Sequence, residues 1–177
     1  MSEFAPLFLT IHILTAIVAF GPSFAFPLIA RMAAQEPMHG PFAVKLTDVI
    51  EKRIVIPLAL TMPISGGLLV WSEGIDLLAT NWLLLAITLY VIAIVFAVGV
   101  QLRTVERMVE VAGQLARAAA PASAMAAGPG AALAASADVP GLRAEMASLG
   151  TRAQQGGVLL SVLIVAIVTL MASKPGF

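Results

Sequence analysis

The stretch Trp82–Val100, WLLLAITLYVIAIVFAVGV, decides the fold. It carries no charge and no proline, and only Thr88 and Tyr90 bring hydroxyls into it. A helix rising 1.5 Å per residue covers about 28 Å over that length, close to the ~30 Å of a bilayer's hydrocarbon core. In oil every backbone amide must be satisfied within the structure itself, which a helix achieves alone. A transmembrane β-strand would instead alternate in polarity over about ten residues.

Three further apolar runs follow the same logic: Pro6 to Ala30, Ile54 to Trp71, and Gly157 to Ala172. The first is long enough to tilt, and Pro22 and Pro27 give it cause to bend. Its first charge is Glu3, and its apolar run exceeds the ~7–15 residues of a secretory leader, so it reads as a span. The whole chain agrees with the local reading. Of 177 residues, 60% are hydrophobic and 11% charged, and mean hydropathy is +0.99. A soluble domain is roughly 45–50% apolar and about 25% charged. The expected fold is an all-α membrane protein, a four-transmembrane-helix bundle formed by one domain over residues 1–177.

Charge sets the expected orientation. Nine of the ten basic residues fall in the segments between spans one and two and between spans three and four; only Lys174 lies at the other side. Cytoplasmic loops are enriched in Lys and Arg, so both termini are expected on the non-cytoplasmic side of a bacterial inner membrane. Trp71 and Trp82 flank the short outer connector, where interfacial tryptophans belong. After Val100 the helix is expected to continue into the cytoplasm, because Val105, Met108, Val109 and Ala112 recur at helical spacing. Residues 120–140, rich in Ala, Gly and Pro, read as a flexible linker, with a short helix resuming near Leu142–Leu149.

Absences narrow the chemistry. There is no cysteine, hence no disulfide, thiolate metal site or c-type haem attachment. The balance of ten basic and ten acidic residues offers no nucleic-acid footprint. No Ser-His-Asp set, phosphate loop or HExxH motif is present. No apolar run contains an acidic residue, which counts against a proton-coupled exchanger.

His12 is the residue that most asks for explanation. An ionisable group within a span is costly and defaults to function, and neutral imidazole ligates metals and haem. His12, Ala16, Ala19 and Ser23 share one helical face, small enough for a close neighbour or a flat macrocycle. The competing reading is an interhelical hydrogen bond to a Thr or Tyr. Met62 and Tyr90, counted from the outer ends, fall at similar depth to His12 and are candidate second ligands. Helix packing and a hydroxyl bonded across the bundle are their alternatives. Met32, Met38 and His39 form a weaker soft-metal candidate in a loop of turn composition. Arg31, Glu51, Lys52 and Arg53 read as interfacial anchors.

The stretch FLTIHILTAIVAFGPSFAFPLIARM resembles the first span of a superfamily that includes copper-resistance-D-like proteins and J-type protoporphyrinogen oxidases. It is most similar to a related family of uncharacterised bacterial integral membrane proteins. The shared pattern is His12, Gly21 and Arg31; KRIVIPLALTMPISGGLLVW and NWLLLAITLYVIAI resemble the following two spans. The likeness covers about residues 5–110. It implies haem at His12. In the oxidases a third-span lysine is associated with activity, and Ala86 stands near that place here, so the resemblance implies haem or porphyrin binding without the oxidase reaction. Three functions follow as expectations. The first is a haem b or porphyrin protein for electron transfer or porphyrin handling. The others are an accessory subunit of a larger membrane complex and a homodimeric small transporter.

Overall fold

The computed structural model describes residues 3–119 and 138–175. Six helices are formed among them: α1 Ala5–Gln35, α2 Gly40–Ile50, α3 Ile56–Glu73, α4 Asn81–Phe96, α5 Leu102–Ala119 and α6 Val139–Ser173. No strand occurs among the described residues. A wide π turn, Glu51–Val55, joins α2 to α3, and a second, Ala97–Gln101, joins α4 to α5. The chain therefore makes four long rods, Ala5–Gln35, Gly40–Glu73, Asn81–Ala118 and Val139–Ser173, each long and apolar enough to cross a membrane. The four-helix membrane architecture expected from the sequence is what forms.

The rods are longer than the apolar runs. Residues 81–118 make 38 residues of nearly continuous helix, about 57 Å against ~30 Å of hydrocarbon. The excess lies at one end, where α2, α5 and the first half of α6 pack together. Val105, Val111, Ala112 and Leu149 are buried there, while Arg107 grips Glu145 through Nε to Oε1 at 2.7 Å and Nη2 to Oε2 at 3.3 Å. Lys52 Nζ reaches Asp48 Oδ1 at 2.8 Å and Glu106 Oε1 at 3.0 Å, tying the π turn to α5. This charged end is the extension foreseen after Val100. The short helix foreseen at Leu142–Leu149 is not separate: α6 runs unbroken through it, started by Asp138, whose carboxylate accepts the Gly141 N–H at 2.9 Å. The linker reading falls on residues 120–137, outside the described residues, and its last positions begin α6.

The prolines act as the chemistry of a missing N–H requires. Pro22 and Pro27 sit inside α1, and Pro63 inside α3, without ending either helix. Pro57 can offer no N–H to the carbonyl four residues back, and just before it the ladder widens, Ile56 N–H bonding Glu51 O. At the opposite end α3 stops at Gly74, whose φ of 66° places it in the left-handed region. Ile75 N–H then bonds Val70 O at 3.1 Å, closing the helix end. Asp76 Oδ1 accepts the Leu78 and Ala79 N–H groups, shaping the short connector to α4.

Inside the bundle α1 lies along α3, and α4 along α6, with α1 also touching α6. Small residues make the seams: Ala19, Ala59 and Ala86 are almost fully enclosed. Large side chains such as Ile17, Leu60, Val95 and Val162 are more than half exposed on the outer faces, where lipid replaces water as solvent. α3 and α4 make almost no close backbone approach despite their short connector. Between the pairs runs a cavity of about 2030 Å³, lined from Glu73 and Lys174 at one end to Ala118 and Val139 at the other.

Candidate functional site

Toward the chain termini the cavity is lined by His12 of α1 and Gly66 of α3, with Ser65 packed behind them in the seam. His12 Nδ1 lies 2.9 Å from Ser65 Oγ. Ser65 is itself buried, and its hydroxyl donates to the Met62 carbonyl at 3.1 Å. A hydroxyl has one proton. With that proton on Met62 O, Ser65 Oγ accepts from an Nδ1–H of His12, and the Nε2 lone pair is left free. The network, rather than any visible hydrogen, assigns this tautomer. No other hydrogen bond to the ring occurs among the described residues.

Gly66 makes the approach possible. A Cβ there would stand 3.2 Å from His12 Cε1, closer than ordinary van der Waals contact. The ring thus lies against backbone and faces the cavity, which His12, Ala16 and Ser23 line from α1 and Met62, Gly66 and Ala86 from the facing helices. The small-residue face expected on α1 is present, with Ala19 fully buried in the seam.

The candidate second ligands behave differently. Met62 is 8% exposed and lines the cavity, one turn inward from Ser65. Tyr90 donates its hydroxyl to the Ala59 carbonyl, bridging α4 to α3 where those helices are otherwise apart. Ala59 lies six residues from Ser65, about 9 Å along the helix, so Tyr90 and His12 anchor at different levels of the bundle. His39 Nδ1 pairs with Glu36 Oε2 at 2.9 Å on the surface, while Met32 and Met38 are exposed. No cluster of three or more His, Cys, Asp or Glu residues able to hold a metal occurs among the described residues.

Two positions that shape this region escaped the sequence. Ser65 was passed over because a serine in an apolar run bonds back to its own helix as readily as outward, as it also does here. Glu51, read as an interfacial anchor, is 6% exposed and lines the cavity instead. The signal for it was present: Glu51 lies eleven residues, three helical turns, before Met62, once the helix is continued back past Ile54.

For haem, the fit rests on the donor set. A ligating imidazole is held by a hydrogen bond at its other nitrogen, and Ser65 supplies that bond to His12. The cavity exceeds the roughly 300–1,000 Å³ of common small-molecule sites, and small side chains flank the ring. An imidazole held at one nitrogen beside small side chains fits the chemistry of a haem ligand, and His12 would be the residue to hold it. No curated protein and no solved structure matches the chain. A family model described as "Predicted integral membrane protein (DUF2269)" matches residues 6–128, more than half of the sequence, and the chain belongs to that family.

Proposed function

We propose that this integral membrane protein holds a b-type haem or related porphyrin through His12, for electron transfer or porphyrin handling. The observation that carries the reading is the bond from His12 Nδ1 to Ser65, which orients the ring of a cavity-lining residue and leaves Nε2 without a hydrogen bond. His12 would hold the iron, and Ser65 would fix the ring and its tautomer. Ala16, Gly66 and Ala86 would leave room for the macrocycle's flat face. Met62, which lines the cavity with no hydrogen bond of its own, would be a further residue able to hold the iron. When bound, haem would supply one-electron redox chemistry that the side chains of a cysteine-free chain lack. The resemblance of the first span to porphyrin-handling membrane proteins supports the same assignment. The distribution of basic residues supports placement in a bacterial inner membrane with both termini outside the cytoplasm.

The test is the absorption spectrum of protein purified from membranes and supplied with haem. A Soret band that His12→Ala removes is expected. Wild-type protein without such a band after haem is supplied would refute the assignment. In that case the His12–Ser65 bond serves helix packing alone, as in an accessory subunit of a larger complex, and His12→Leu would be tolerated.

A further inference from the structure

Farther along the cavity stands a carboxyl with no side-chain partner among the described residues. Glu51 is 6% exposed, and none of its atoms makes a hydrogen bond or ion pair with another side chain among the described residues. Its neighbour Lys52 points away, held by Asp48 and Glu106. Those are the charged groups around it: Asp48 and Lys52 from its own rod and Glu106 from α5. Lys52 is the one base among them and is already committed to Asp48 and Glu106, so Glu51 has no ion-pair partner among the described residues.

Position sharpens the point. Glu51 opens the π turn, a widened turn of the kind that recurs at functional sites. It lines a cavity whose walls are otherwise mostly apolar, with Val55, Ala59 and Ala97 among the nearest lining residues along the same rods. It lies about 20 Å along the helix from Ser65, so it is separate from the His12 end. A buried carboxyl without a protein partner either keeps its proton or takes a counter-charge from elsewhere, so a cation entering the cavity is met by the ionised form. The mostly apolar walls select a partner that is itself apolar.

We propose that Glu51 is the anchoring group of a binding site for lipophilic monocations, with the charge against the carboxylate and the apolar body in the cavity. The carboxylate contributes the attraction; the volume and apolar walls set the class of molecule. The site does not depend on haem at His12, and haem spectra do not enter its test.

Tetraphenylphosphonium is a suitable probe, being a permanent cation wrapped in aryl groups. Its binding is measured by equilibrium dialysis on the full chain in detergent, against protein-free micelles. Saturable binding is expected, weakened about tenfold or more in Glu51→Gln, a loss of ~1.4 kcal/mol or more. Glu110→Gln, at the exposed Arg107 pair, is expected to bind as the wild type does. Triphenylphosphine oxide, neutral with a similar aryl body, tests the unaltered protein and keeps the question open to refutation should Glu51→Gln misfold. It is expected to bind at least tenfold more weakly than the cation. The proposal is overturned by absence of saturable cation binding, by equal affinity in a folded Glu51→Gln, or by equal affinity for the neutral probe.

Discussion

His12 Nδ1 and Ser65 Oγ stand 2.9 Å apart across the α1–α3 seam, and the histidine ring lies there because residue 66 has no side chain. This one relationship joins a polar residue in each of two apolar spans. It also sets which ring nitrogen is free. Removing the hydroxyl by Ser65→Ala leaves Nδ1 without its partner. Loss of about 1 kcal/mol of stability in detergent is expected, read as a lower Tm. If haem is held at His12, the same change is expected to weaken its retention roughly 10–100-fold, measured by haem transfer to an acceptor protein.

The two adjacent glycines should respond oppositely to alanine. Gly67 has open space around a notional Cβ, whereas Gly66 has His12 Cε1 at 3.2 Å. Alanine within a helix is favoured over glycine by about 1 kcal/mol. Gly67→Ala is therefore expected to leave the Tm unchanged or raise it. Gly66→Ala is expected to forfeit that gain by displacing the ring. Equal effects of the two substitutions would contradict the seam.

Tyr90 holds α4 to α3 through the Ala59 carbonyl, where little else joins those helices. Tyr90→Phe keeps the ring and removes the bond. A loss of about 1 kcal/mol is expected by thermal unfolding. The Soret position of a haem-loaded sample is expected to stay in place; a shift would mark Tyr90 as a ligand.

The absence of native cysteine makes the charged end easy to probe. Arg107→Cys with Glu145→Cys, and Lys52→Cys with Glu106→Cys, replace pairs in direct contact. A short bismaleimide is expected to link each pair within one chain, detected as a gel-mobility shift. Failure of the first pair would mean that α5 and α6 do not pack as described.

Orientation has its own measurement. With the termini outside the cytoplasm, Glu3→Cys is expected to react with a membrane-impermeant maleimide in spheroplasts. Arg152→Cys is expected to react only after lysis. The reverse pattern would invert the topology inferred from nine basic residues against one.

The fold was legible in Trp82–Val100 and its three companions because the bilayer imposes a simple rule: an uncharged run of this length in oil must be a helix. Rod length was less legible. Hydropathy marks only the part of a helix that meets lipid, whereas α5 and the first half of α6 are held by packing and by the Arg107–Glu145 pair. His12 stood out as an imidazole in an apolar span, but its meaning did not, since a hydrogen bond and a metal bond ask for the same residue.

Tertiary structure alone decided which residues meet. It brought Ser65 to His12, set Tyr90 at the level of Ala59, and turned Glu51 from a presumed interfacial anchor into a buried cavity wall. The physical reason is that composition and periodicity describe each helix against an average solvent. The stagger and rotation of one helix against another depend on where glycine and alanine permit close approach. They depend also on where a missing proline N–H widens a turn, and those contacts exist only between segments distant in the chain.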